Sequence, residues 1–272
     1  MAEDNVKIMV FGAHPDDCDI RTGGIALKHA ALGNQVRFVS VTNGDAGHHE
    51  IGGVELARRR REETQAVAAI AGIEYDVFDI HDGELEPTLE NRKKVIRAIR
   101  QFAPDLVLTH RPNDYHPDHR YTSILVQDAI FLVTVPNICT DTPILERMPI
   151  VAYVGDNFQK PQPFCADVAV DIDDVMERKL DMVHCHISQV YEWLPFNGGH
   201  LDEVPEGEEA RKAWMAARWA RRLVAVADAC RGLLIERYGE ERGQKVRYAE
   251  AFEGCEYGSA LTGENIPILF PF

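Results

Sequence analysis

The chain has 272 residues, of which 45% are hydrophobic and 27% charged, and its formal net charge is −15. This composition is typical of a globular protein with a sizeable core, and we interpret residues 1–272 as one domain. The negative charge argues against binding to nucleic acid, because phosphate contacts need Lys and Arg. Six scattered cysteines, an acidic start without an export signal and the lack of a 20-residue apolar segment predict a cytoplasmic protein with no membrane insertion.

The first half of the chain alternates strand-like and helix-like segments. The apolar run 6–13 predicts a buried first strand, and a helical pattern follows it to about Gly33. This alternation predicts an α/β fold with a Rossmann-like, mostly parallel sheet and helices on both faces. Three further strands are predicted at 36–41, 75–80 and 105–110, and two further helices at about 54–71 and 91–102.

The second half of the chain is less regular. Short strands are predicted at 150–154 and 168–172, and helices at 120–132, 175–193 and 208–238. We expect an irregular C-terminal helical region and an aromatic tail that packs on the body. The tail and the Trp-bearing helix are candidates for an interface between copies, which favours a homo-oligomer.

The motif His14-Pro15-Asp16-Asp17 directly follows the first predicted strand. In open α/β sheets, ligands bind in the crevice outside the carboxyl ends of the strands. One imidazole and two carboxylates at this place predict a cation and a catalytic base. His14 and Asp17 are three residues apart, so the first turn of a helix would place them on one face. Asp16 would then stay free of the metal.

A second polar motif, His116-Pro117-Asp118-His119, follows the fourth predicted strand. If strands one and four are neighbours, the two motifs meet in one crevice. Two histidines and a carboxylate would then complete a three-ligand zinc site with an open fourth position. We favour His119 as the third ligand and His116 as the group that faces substrate. Asp118 would orient one of the imidazoles.

These two motifs together resemble the signature of the LmbE-like, or PIG-L-like, family of zinc-dependent N-deacetylases. The resemblance covers about residues 6–195, and the part from about 196 to 272 diverges. It implies a hydrolase that removes the N-acetyl group from an N-acetylglucosamine-containing or related small molecule. Further matches are Gly23-Gly24, the segment 42–47, Arg60-x-x-Glu63 and His186-x-Ser188-Gln189.

The resemblance also implies a role for each motif residue. Zinc is the implied cofactor, and another divalent transition metal would suit the same ligands. The implied metal ligands are His14, Asp17 and His119, and the implied general base is Asp16. By the same resemblance, His116 stabilises the oxyanion with support from Asp118. Arg60 is implied to contact substrate hydroxyls. The register of Arg60 is ambiguous, because residues 58–61 are all arginine.

Two other functions remain open at this stage. A metal-dependent phosphoesterase would also use His/Asp clusters, although two metals need more ligands than these motifs supply. A non-catalytic Rossmann-like nucleotide-binding module is disfavoured, because the first turn lacks the G-x-G-x-x-G fingerprint.

Several residues near the motifs also receive a prediction. His48 and His49 either line the substrate entrance or lie in a wet loop, and we favour the loop. Tyr115 either contacts substrate or packs, and we favour packing, whereas we expect a structural role for His110. His186 and Gln189 either reach the edge of the site or hold a helix contact.

Overall fold

The computed structural model describes residues 5–272. The acidic residues 1–4, which bear on the expected absence of an export signal, lie outside the described residues. Within the described residues, no helix is long and apolar enough to cross a membrane.

One seven-stranded sheet organises the chain, with the strand order β3-β2-β1-β4-β5-β7-β6. Strands β1 to β5 pair in parallel, and β7 pairs antiparallel with both β5 and β6. The mostly parallel α/β sheet is therefore confirmed. The strands are β1 (Lys7–Gly12), β2 (Gln35–Ser40), β3 (Glu74–Val77), β4 (Leu106–Thr109), β5 (Ile150–Val154), β6 (Val168–Asp171) and β7 (Ala249–Gly254).

Helices cover both faces of the sheet. β1 is buried on both sides because its alternate side chains enter two different cores: Ile8 packs with α1, α2 and α5, and Met9 packs with α3 and α4. The helices are α1 (Asp17–Ala31), α2 (Gly53–Ala71), α3 (Leu89–Phe102), α4 (Pro117–Leu132), α5 (Met176–His184), α6 (Leu194–Asn197), α7 (Glu208–Ala229), α8 (Arg231–Tyr238), α9 (Glu240–Lys245) and α10 (Ile266–Leu269).

The neighbouring positions of β1 and β4 create the site. The two strands pair in parallel from Ile8 opposite Leu106 to Phe11 opposite Thr109. Their carboxyl ends therefore lie side by side, and the polar motifs that follow them meet. The condition under which the two motifs meet, that strands one and four are neighbours, is therefore fulfilled.

The C-terminal part differs from the prediction in two ways. First, β7 was not predicted, although it lies between β5 and β6. Its charged Glu250 is fully buried and pairs with Lys179, so the sequence does not show the apolar pattern of a core strand. Second, the predicted helix 208–238 ends at Cys230 and resumes as α8, and the predicted helix 175–193 is α5 followed by a π-helical turn at Ser188–Trp193.

Candidate metal centre and active site

The first motif forms the turn from β1 into α1. Asp16 is the N-cap residue of α1, yet its side chain makes no capping hydrogen bond. The Asp17 carboxylate turns back and accepts the main-chain N–H of His14 at 2.8 Å. The two aspartates therefore do not serve the helix end in the usual way, and both carboxylates remain available to the site.

Three donor atoms from the two motifs form a nearly equilateral triangle. His14 Nδ1 lies 3.3 Å from Asp17 Oδ2 and 3.2 Å from His119 Nε2. The third side, from His119 Nε2 to Asp17 Oδ2, measures 3.4 Å. Ligands at zinc's usual bond lengths of about 2.0–2.1 Å stand about 3.3–3.4 Å apart in a tetrahedral site. The spacing of these donors therefore fits one zinc-sized ion, and it leaves the fourth corner of the tetrahedron to another ligand.

The charge distribution in the triangle suits a cation. Burial raises the pKa of Asp17, but His119 and His110 outweigh it and hold that pKa well below the ordinary value, so the carboxylate stays ionised. Burial lowers the pKa of His14, but contacts with Asp118, Asp17 and Asp82 raise it well above the ordinary value. His14 thus lies in a strongly negative environment, which attracts a proton or a metal ion.

A second set of carboxylates lies behind the histidines, on the side away from the triangle. His14 Nε2 is 3.1 Å from Asp82 Oδ1 and 3.4 Å from Asp118 Oδ2. His119 Nδ1 is 3.0 Å from Asp114 Oδ1. Neither nitrogen has a hydrogen-bond partner of good geometry among the described residues, so the carboxylates act here as close negative charges. In metal sites, carboxylates behind ligating histidines fix the tautomer and the ring orientation. Neither Asp82 nor Asp114 has a role predicted from the sequence.

The position of Asp82 beside His14 is visible only in the three-dimensional structure. It lies in the loop after β3, and that loop is fastened to the site by its main chain: the Asp82 N–H donates to Asp45 Oδ1 at 3.0 Å, and the Gly83 N–H donates to Asp118 Oδ2 at 2.7 Å. No motif marks Asp82, which is 68 positions from His14 in the sequence. Asp114, by contrast, stands next to the second motif and was within reach of sequence reasoning.

Arg60 connects the free aspartate of the first motif to Asp82. Its Nη2 lies 3.2 Å from Asp16 Oδ1, and its Nη1 lies 3.8 Å from Asp82 Oδ2. Burial raises the pKa of Asp16, Arg60 lowers it, and the charge of Asp17 raises it again, so the net pKa is above the ordinary value. A buried carboxylate with a raised pKa beside a metal site is suited to accept a proton.

The structure settles the register of the arginine run. Arg60 is 2% exposed, whereas Arg58 and Arg61 are exposed and Arg59 pairs with Glu192 at 2.6 Å. The loop after β2 leaves room for the Arg60 guanidinium because residue 44 is glycine. A Cβ on Gly44 would lie 2.8 Å from Arg60 Cδ, and its φ of +71° is unfavourable for other residues.

His116 adjoins the triangle, and one of its ring nitrogens lies within 4.8 Å of ligand atoms of His14 and His119. Its ring centroid is 4.5 Å from that of His14, and its Nδ1 accepts the main-chain N–H of Asp118 at 3.2 Å. Burial and the neighbouring His14 lower its pKa. The hydrogen bond and the pKa together favour a neutral imidazole with the proton on Nε2, a tautomer assigned from this network. Such an Nε2–H group can donate to a substrate oxygen.

His110, His186 and Gln189 hold the frame of the site. His110 Nε2 accepts the Ala13 N–H at 3.1 Å, and its ring stacks on His119 at 4.2 Å, which fits the expected structural role. His186 contacts Asp19 at 2.9 Å, and Gln189 donates to the carbonyl of Gly47 at 3.0 Å. Both residues therefore make inter-element contacts.

Two expectations for flanking residues were wrong. His48 is not in a wet loop, because it contacts Glu192 at 2.8 Å with a buried side chain, and His49 stacks on Phe196 at 4.1 Å. Tyr115 is not a packing residue, because 72% of its surface is exposed.

Comparison with known proteins identifies relatives for the whole fold and for the site region. The family described as PIG-L, GlcNAc-PI de-N-acetylase, matches residues 9–130, which include both motifs. The diacetylchitobiose deacetylase of Thermococcus kodakarensis is 36% identical over 203 residues, which cover 70% of this chain and 74% of that protein. The 4-oxalmesaconate hydratase of Pseudomonas putida is 26% identical over 197 residues, which cover 68% and 74% of the two chains.

Among solved structures, the N,N'-diacetylchitobiose deacetylase of Pyrococcus horikoshii has a TM-score of 0.71 and 24% identity, and the match covers 93% of this chain and 85% of that one. This likeness concerns the fold. The match to the Thermococcus kodakarensis deacetylase spans 203 residues, far more than the two motifs, so an independent origin of the motifs does not explain it. By its motifs, its sheet and this relative, the chain belongs to the PIG-L, or LmbE-like, family.

Proposed function

We propose that the chain is a zinc-dependent N-deacetylase that hydrolyses the N-acetyl amide of an N-acetylglucosamine-containing or related small molecule. The observation that carries the proposal is the donor triangle of His14, Asp17 and His119, with sides of 3.2–3.4 Å. The 36% identical diacetylchitobiose deacetylase supports the choice of an N-acetylated amino sugar.

The three triangle residues would hold the ion, and Asp82 and Asp114 would orient the two histidines from behind. A bound zinc ion would lower the pKa of a water molecule and polarise the acyl oxygen, which answers the two difficulties of amide hydrolysis. The ionised Asp17 and the carboxylates around His14 favour binding of a cation. Another divalent transition metal would also suit two nitrogens and one oxygen.

Asp16 is the proposed general base. Its carboxylate accepts a proton from the attacking water while the water oxygen bonds to the acyl carbon, and it then delivers that proton to the amine nitrogen as the C–N bond breaks. The products are a free amine and acetate. Arg60 keeps Asp16 in place by their ion pair at 3.2 Å, and we assign it the contact with substrate hydroxyls.

His116 is the proposed donor to the acyl oxygen, on which negative charge grows during attack. Its Nδ1 is occupied by the Asp118 N–H, so Nε2 carries the proton toward the site. Loss of one such donor reduces turnover by about 10²–10³. Asp118 thus supports His116 through its main chain and His14 through its carboxylate.

The competing functions lack support. None of the relatives described above is named as a phosphoesterase or as a nucleotide-binding module. The hydratase is a more distant relative than the deacetylase, at 26% against 36% identity. A homo-oligomer and a cytoplasmic location stay predictions from the sequence.

The test is release of acetate from N-acetylglucosamine and diacetylchitobiose, before and after removal of metal with a chelator. We expect acetate release that is lost with the metal and restored by zinc. His119→Ala should lose both zinc and activity, whereas the control His29→Gln, at the far end of α1, should keep both. Acetate release that persists after proven metal removal, or phosphate release from an aryl phosphate in its place, would refute the proposal.

A further inference from the structure

Tyr115 is an exposed aromatic residue in direct contact with the proposed site. Its ring centroid lies 5.7 Å from that of His116 and 5.6 Å from that of His119, both in edge-to-face geometry. Yet 72% of the residue is exposed to solvent. The proposed reaction does not use it, and packing does not explain it. A large aromatic face that is exposed beside a reaction centre is a candidate binding surface for a ligand.

The main chain holds Tyr115 in place. Arg120 Nη1 donates to the carbonyl oxygens of Asp114 at 2.7 Å and of Tyr115 at 3.0 Å. Asp114 in turn accepts the His116 N–H at 3.0 Å. The ring is therefore presented from a fixed backbone, which reduces the entropy that a ligand would have to remove on binding.

A second aromatic ring lies beside the first. The centroid of Phe158 is 6.2 Å from that of Tyr115, at an angle of 40° between the ring planes. Arg111, directly after β4, holds the segment that carries Phe158: it forms two bonds of 2.7 Å to Asp156 and one of 3.0 Å to the Phe158 carbonyl. We call Tyr115 and Phe158 the aromatic platform.

The surroundings of the platform are polar. Gln159, Lys160 and Gln162 are exposed in the same segment, and Asn113 Nδ2 donates to the Lys160 carbonyl at 3.2 Å. An acyl chain would need a continuous apolar surface, whereas the exposed apolar residues Pro161 and Pro163 of this segment alternate with Lys160 and Gln162. A pyranose ring has an apolar C–H face and a rim of hydroxyl groups, and it matches aromatic faces bordered by amides and an amine.

We propose that the aromatic platform binds the sugar ring next to the N-acetylated one, so that the enzyme prefers an N-acetylated disaccharide or oligosaccharide to the monosaccharide. This inference rests on the proposed deacetylase function and adds a specificity-determining surface to it. Tyr115 and Phe158 would act in binding and would take no part in the bond-breaking steps.

The test compares kcat/KM for diacetylchitobiose and for N-acetylglucosamine in the zinc-loaded protein. We expect the wild type to prefer the disaccharide. Tyr115→Ala and Phe158→Ala should each reduce kcat/KM for the disaccharide about tenfold, equivalent to ~1.4 kcal/mol, and leave the monosaccharide within about twofold. Tyr115→Phe should keep the preference because it keeps the ring. The matched control is Phe131→Ala, an aromatic residue of similar exposure (65% against 72% for Tyr115) near the opposite end of α4.

Binding is measured separately by calorimetric titration of the Asp16→Asn protein with diacetylchitobiose. Affinity should fall about tenfold when Phe158→Ala is added to that variant. Equal losses on both sugars, or no loss on the disaccharide, would overturn the platform. If neither sugar releases acetate, the proposed function fails, and the calorimetry alone decides: binding that depends on Phe158 supports the platform, and absence of binding overturns it.

Discussion

Replacing the carboxylates behind the metal ligands should weaken zinc binding by unequal amounts. Within residues 5–272, the carboxylate paired with His119 Nδ1 on the side away from the triangle is that of Asp114, at 3.0 Å. His14 Nε2 has two such neighbours, Asp82 at 3.1 Å and Asp118 at 3.4 Å. Loss of an outer carboxylate typically weakens metal affinity 10–100-fold, or about 1.4–2.7 kcal/mol. We therefore expect about 100-fold for Asp114→Asn, and about 10-fold for Asp82→Asn because Asp118 can replace Asp82.

Zinc affinity of the metal-free variants is measured by competition with a chromogenic chelator. Asn keeps the shape of Asp, so the variants test the charge of the outer ligand with little change in packing. The control is Asp128→Asn, a surface carboxylate on α4 that pairs with Arg92. Two results would refute the proposal that these carboxylates support the two histidine ligands unequally: zinc affinities equal to that of the control, or a larger loss of zinc affinity for Asp82→Asn than for Asp114→Asn.

Asp16→Asn should reduce acetate release by about 10²–10⁴ and leave zinc content unchanged; loss of zinc in this variant would contradict the assignment of Asp16 as a base outside the triangle. Arg60→Met removes the charge that lowers the pKa of Asp16. Without that charge the pKa of Asp16 should rise, and because Asp16 acts when ionised, the acid limb of the kcat/KM profile should move to higher pH. An unchanged acid limb would contradict the view that Arg60 sets the pKa of the general base. Gly44→Ala should lower activity at unchanged zinc content, since its Cβ meets Arg60 and its φ is +71°; full activity would show that the loop adapts. Arg100→Met should reduce the free energy of unfolding by ~3 kcal/mol or more, as judged by urea denaturation, because the buried guanidinium donates to main-chain carbonyls at the end of α4 and just after it; a change below ~1 kcal/mol would contradict this.

The sequence predicts the two His/Asp motifs of the candidate site because each motif is a short, local stretch of the chain. Each motif occupies four consecutive residues after an apolar strand, and the parallel α/β order alone places those strand ends on one edge of the sheet. The neighbouring positions of β1 and β4 then bring His14 and His119 together. The turn itself gives the two aspartates different positions, because it directs the Asp17 carboxylate back to the His14 N–H and leaves the Asp16 carboxylate to pair with Arg60.

The remaining features depend on tertiary contacts that no local pattern encodes. Asp82 reaches His14 only because the loop after β3 is fastened to Asp45 and Asp118. β7 was missed because a buried ion pair replaces apolar residues in a core strand: Glu250 is compensated by Lys179, which belongs to α5, far away in the sequence. The break at Cys230 is followed by Gly232, but an isolated glycine is tolerated inside a helical pattern, so the sequence favours a continuous helix.

Titration of metal-free protein with zinc, with acetate release from diacetylchitobiose followed at each step, tests the central claim most directly. The claim is that one divalent ion on His14, Asp17 and His119 is required for hydrolysis. Activity should rise linearly from near zero and reach its plateau at one equivalent of zinc per chain. Full activity before any zinc is added, or a plateau reached only at two equivalents, would contradict it.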